Sequence, residues 1–101
     1  MWARVASFEG TDVERLREQA GGRPPDELIP AGLRGVLSLA DAEGKRQLFI
    51  TLFDSRDQIE AAEPIFERMG DQIPEDVRGR RVSVDYYEVP AGILALTGEL
   101  R

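Results

Sequence analysis

The sequence predicts an α+β fold in the order β-α-β-β-α-β, a four-stranded antiparallel sheet with two helices on one face. Three observations carry this expectation. Thr11 with Glu14, and Ser55 with Gln58, have the spacing of a capping box, in which each side chain satisfies an orphan amide at a helix start. Between those two helices lie two strand-like runs joined by the glycine-containing loop Asp41-Ala42-Glu43-Gly44-Lys45, the pattern of a β-hairpin. A further strand candidate stands at each end of this arrangement.

The first strand is expected over residues 2–8, with Glu9-Gly10 as its breaker. A helix starts near Asp12 and turns Val13, Leu16 and Ala20 to one side. Gly21-Gly22-Arg23-Pro24-Pro25 then ends it, because glycine loosens the backbone and proline removes donors. Residues 26–29 can add one turn before Pro30-Ala31-Gly32. The hairpin strands are expected at about 35–40 and 46–53, with Gly44 supplying positive φ in the loop. Ile59, Ala62, Phe66, Met69 and Ile73 recur at helical steps and form the apolar stripe of the second helix. Pro64 lies inside that stripe, where it predicts a kink or a restart. Pro74 closes the element and residues 80–89 supply the last strand. The order is that of a split βαβ, the ferredoxin-like arrangement.

The run Leu48-Phe49-Ile50-Thr51-Leu52-Phe53 is apolar on both of its faces. A sheet with one wet face alternates apolar and polar residues. Two helices cover one face only; the other is left to the tail or to a second copy of the molecule. Burying each Leu- or Ile-sized side chain there is worth roughly 1.5–3 kcal/mol. A homodimer closed through the sheet is therefore expected.

Composition removes many functions. The chain has 101 residues, enough for one domain spanning 1–101, with its core in 2–89 and an apolar tail in 90–101. It contains no Cys, His or Asn, which excludes thiolate and imidazole metal sites, disulfides, and Ser-His-Asp or Cys-His nucleophiles. No metal and no cofactor is expected. The net charge of −6 argues against nucleic acid as a partner, since a phosphate backbone needs a basic face. No run approaches the ~20 apolar residues of a membrane span. The start Met1-Trp2-Ala3-Arg4 lacks the pattern of a signal peptide, so a cytoplasmic location is expected.

Phe8-Glu9-Gly10, Pro30-Ala31-Gly32-Leu33-Arg34-Gly35, Ile50-Thr51-Leu52-Phe53-Asp54-Ser55 and Ser83-Val84-Asp85-Tyr86-Tyr87-Glu88-Val89 give the chain a resemblance. Over most of residues 2–89 it resembles the antibiotic-biosynthesis-monooxygenase-type dimeric α/β barrels. The resemblance implies two ferredoxin-like sheets paired into a barrel, each subunit with a pocket between sheet and helices. It also implies several possible activities, from cofactor-free oxygenation of phenols to haem degradation. The Asn and Trp of the oxygenase members and the axial His of the haem-degrading ones are not matched: Phe53 stands where a Trp is usual, and the one Trp is Trp2. The fold is implied more strongly than the chemistry.

Phe49 and Phe53 share a face of their strand. With Leu16 and Phe66 they either line an apolar pocket or fill a core. Tyr86 and Tyr87 point to opposite sides of the last strand; each is a ligand-facing phenol or an edge residue with its hydroxyl in water. Arg4, on a central strand, must be paired, with Asp85 or Glu88 on the neighbouring strand as candidates, or reach the margin, or anchor an anionic ligand. Residues 54–76 hold 8 acidic and 2 basic residues, a solvated face or a cation attractor. Arg78-Gly79-Arg80-Arg81 is a basic patch suited to pairing with that acidic helix.

No catalytic residue is assigned. The leading expectation is a small-molecule binding or accessory protein with a small apolar or aromatic ligand. An enzyme, either a cofactor-independent oxygenase or an isomerase acting on a phenolic or quinonoid substrate, is the second. In it Tyr87 or Arg4 would orient the substrate. A purely structural dimerisation module is the third.

Overall fold

The computed structural model describes residues 1–19, 26–70 and 73–90. The expectations for Ala20, for residues 21–25 and for a docked tail lie outside them. Four strands, β1 (Trp2–Glu9), β2 (Leu33–Asp41), β3 (Arg46–Phe53) and β4 (Arg80–Glu88), form one antiparallel sheet in the order β2-β3-β1-β4. The helices are α1 (Val13–Gln19), α2 (Arg56–Gly70) and the four-residue α3 (Glu75–Arg78), with a single 3-10 turn at Asp26–Leu28. The α+β class and a strand order compatible with the ferredoxin-like arrangement are thus observed.

The second capping box forms as expected. The Ser55 amide donates to Gln58 Oε1 and the Gln58 amide to Ser55 Oγ, both at 3.3 Å. At α1 the cap is shifted by one residue. Asp12, not Thr11, accepts the Arg15 amide, at 3.1 Å. Thr11 is buried and donates its hydroxyl to the Arg78 carbonyl at 2.8 Å, which pins the start of α1 to the end of α3. The hairpin loop also differs from expectation. Positive φ falls on Lys45 (51°), not on Gly44. The Gly44 amide instead donates to Asp41 Oδ1, and a Cβ there would push the exposed Asp41 carboxylate aside. The Arg46 guanidinium and that amide hold the Asp41 carboxyl below its ordinary pKa.

Pro64 sits inside a single α2, so the helix does not restart. A proline there removes its own amide bond and crowds the preceding turn, a cost of ~3 kcal/mol that the burial of the flanking stripe offsets. Ile59, Ala62 and Phe66 are all at most 5% exposed and pack with Phe53, the Phe53 and Phe66 rings meeting edge to face at 6.1 Å. Short α3 has no periodic signature, and the sequence reading missed it. Its C-cap, Gly79, has φ 86°, and a side chain there would strike the Glu9 carbonyl.

Register divides the sheet into two faces. Arg4 opposes Thr51 and Tyr86, and Ala6 opposes Phe49 and Val84, so these share the face under the helices. Ala3, Val5 and Ser7 share the other face with Leu52, Ile50 and Leu48. No helix among the described residues is long and apolar enough to cross a membrane.

Candidate functional site

A cavity of about 460 Å³ lies between the helix face of the sheet and the helices. Its floor follows the two-residue period of the strands: Arg4, Ala6 and Phe8 from β1, Gln47 and Phe49 from β3. Leu16 of α1 and Phe66 and Met69 of α2 form apolar walls. Ile73, Glu75 and Arg78 bound one end, and Arg80 and Arg81 stand at the start of β4.

Three of the four expected lining residues, Leu16, Phe49 and Phe66, come together here. Phe53 does not. It is 0% exposed, in the core cluster with Ile59 and Ala62. The two phenylalanines share a face, but the first turns of α2 cover Phe53, whereas Phe49 lies toward the other end of the strand and borders the cavity.

Arg4 is 2% exposed and lines the cavity. Its expected partners, Asp85 or Glu88, are not the ones it uses. Its Nε donates to Glu63 Oε1 of α2, and its guanidinium carbon lies 4.2 Å from the centroid of the Phe66 ring. Asp85 fails because it opposes Val5, on the other face of the sheet. Glu88 shares Arg4's face but opposes Trp2, one step along, and the helix carboxylate reaches the guanidinium first. Glu63 is thereby withdrawn from the solvated acidic face expected for α2.

Tyr86 and Tyr87 do point to opposite sides. Tyr86 packs against the core cluster beneath the helices, with the Arg56 guanidinium 5.4 Å from its ring centroid. Burial pushes its phenol above the ordinary value, and the Glu63 carboxylate beside it acts in the same direction. Neither tyrosine lines the cavity. Tyr87 opposes Ala3 on the far face and is 56% exposed.

The basic patch divides. Arg81 pairs with Glu67 of α2 at 2.9 Å, as expected, whereas Arg80 reaches Glu9 at 3.7 Å. Arg78 turns inward, donating to the backbone carbonyls of Ile73 and Gly79. Its own carbonyl accepts from Thr11 and from Gln47 Nε2. Gln47, 6% exposed, is a cavity residue the sequence reading passed over. Ala6 and Phe8 were also legible, since they continue the face that begins at Arg4. Among the described residues no group of three or more Asp and Glu is placed to hold a metal.

The open face presents Leu37 (52% exposed), Leu39 (46%) and Leu48 (37%), beside half-buried Val5, Ile50 and Leu52. No protein-family model matches the chain, and no curated protein is significantly similar to it.

Proposed function

We propose that this protein is a small-molecule binding or accessory protein that acts in the cytoplasm as a homodimer of the monooxygenase-like dimeric α/β-barrel type. The cavity is the observation that carries the binding reading. Its 460 Å³ lies within the range of small-ligand sites, roughly 300–1,000 Å³, and apolar side chains from β1, β3, α1 and α2 form much of its wall beside charged ones. A filled-core dimerisation module would have no use for that space. The open face supports the homodimer. A contiguous apolar surface of this kind is unusual on a monomer. A second copy covers it with side chains of the same character, which is how a two-fold interface is built.

The oxygenase or isomerase reading keeps one of its two candidate residues at the cavity. Tyr87 is on the opposite side of the sheet, and Arg4 alone remains.

Methyl-labelled NMR with a panel of small aromatics tests the proposal. Binding should shift Leu16, Ala6 and Met69 and leave Leu37 and Leu39 unmoved. Shifts confined to Leu37, Leu39 and Leu48 would contradict it. Oxygen consumption with hydroquinones, lost in Arg4→Met, would move the assignment to the enzyme.

A further inference from the structure

The charges that border the cavity are matched against one another. Arg4 carries Glu63 on its Nε. Arg81 pairs with Glu67 at 2.9 Å, and Arg80 lies 3.7 Å from Glu9. The fourth lining arginine, Arg78, donates to the carbonyls of Ile73 and Gly79, and Glu75 of the same short helix lines that end of the cavity. Four arginines thus stand against four carboxylates, and the formal charges cancel.

The pairs are not equivalent. The Arg80 and Arg81 side chains are 72% and 38% exposed, where solvent and salt screen them. The Arg4 side chain is 3% exposed, and its guanidinium lies over the Phe66 ring, in the apolar part of the wall. A charge there acts at a lower dielectric and reaches further. Alone, Arg4 would make that wall positive. Glu63, placed on α2 behind the lining, cancels it.

We infer that Glu63 sets the charge specificity of the cavity: by neutralising Arg4 it makes the site take an uncharged aromatic or apolar molecule and reject the ionised analogues. A charged ligand would leave water for a wall with no counter-charge to spare, and an ion transferred without a partner is strongly disfavoured. To gain a partner it would have to part Arg4 from Glu63, which strips a buried charge in turn. An uncharged ligand meets neither cost. Glu63 acts through Arg4 and not by contact. The inference rests on the reading of the cavity as a ligand site.

Titration calorimetry of the full chain at neutral pH tests it with three ligands of one shape. These are 2-naphthoate, 2-naphthamide and 2-naphthamidinium, which are negative, neutral and positive. The amide should bind at least about tenfold more tightly than either ion, because only the ions enter without a partner. Glu63→Gln keeps the shape and the acceptor and removes the charge. It should strengthen naphthoate binding several-fold and weaken that of the amidinium. Arg4→Met leaves the Glu63 carboxylate unanswered and should do the reverse. Opposite shifts report charge, whereas a merely structural role would weaken all three ligands together. If one variant does not fold the other carries the test, and the unaltered protein tests the preference without either. An ion that binds the unaltered protein as tightly as the amide would overturn the inference and leave the cavity standing as a site. Binding of none of the three would overturn the reading of the cavity itself. Equal weakening of all three in Glu63→Gln would overturn the assignment to Glu63.

Discussion

The two faces of the sheet are built from the same strands and meet opposite fates. On the helix side of β3, Phe53, Thr51 and Gln47 are at most 6% exposed. One step along the same strand, on the open side, Leu48 is 37% exposed, and its neighbours Leu37 and Leu39 on β2 are more exposed still. The helix side has polar groups set among its apolar ones, Arg4, Thr51 and Gln47, whereas the open side of β3 is leucine and isoleucine from Leu48 to Leu52. Polar groups enclosed in an apolar setting are expensive, and such sites bind ligands. The leucine and isoleucine run of the open side needs only a cover. The difference separates a site from an interface.

Substitutions on the two sides should therefore fail in different ways. The largest effect on folding belongs to the helix side: Phe53→Ala removes a fully buried ring and should cost about 3–5 kcal/mol in denaturant unfolding. On the open side, Leu48→Glu should leave the fold intact and weaken self-association by about two orders of magnitude in sedimentation, because the lost burial of roughly 1.5–3 kcal/mol is compounded by a buried charge. Loss of the monomer fold in Leu48→Glu would show that the open side belongs to the core of one chain.

Gly79→Ala tests the end of the cavity formed by α3 and the start of β4. Positive φ and collision with the Glu9 carbonyl should together cost about 1–3 kcal/mol, with binding weakened alongside, since Arg78 and Arg80 flank it. The smallest effect is alkaline. The folded protein keeps the Tyr86 proton after the unfolded chain has lost its own, so stability is fully present below the ordinary tyrosine value of about 10 and falls as pH rises beyond it. Tyr86→Phe should remove that decline from a pH series of thermal melts.

Much of the architecture could be read from the sequence because it rests on local rules. The Ser55–Gln58 box, the stripe from Ile59 to Phe66 and the two-sided β3 each depend on residues a few positions apart. The misreadings arise where distant segments decide. Thr11 gives up its cap to bond Arg78, which is 67 positions away. Arg4 finds Glu63, 59 positions away, rather than a neighbour on β4. Phe49 and Phe53 share a strand face and differ only in which part of α2 lies above them. No local pattern carries that information. The candidate site was legible to the extent that it follows strand alternation, as Arg4, Ala6 and Phe8 do, and illegible where α3 and the start of β4 close it.

Sedimentation velocity across micromolar concentrations examines the division of the sheet most directly, with the methyl groups of Leu37, Leu39 and Leu48 probed by a soluble paramagnetic agent in the same samples. The expected result is a species of two chains with those methyl groups shielded. A single-chain species, its open-face methyl groups reached by the agent at every concentration, would contradict the account.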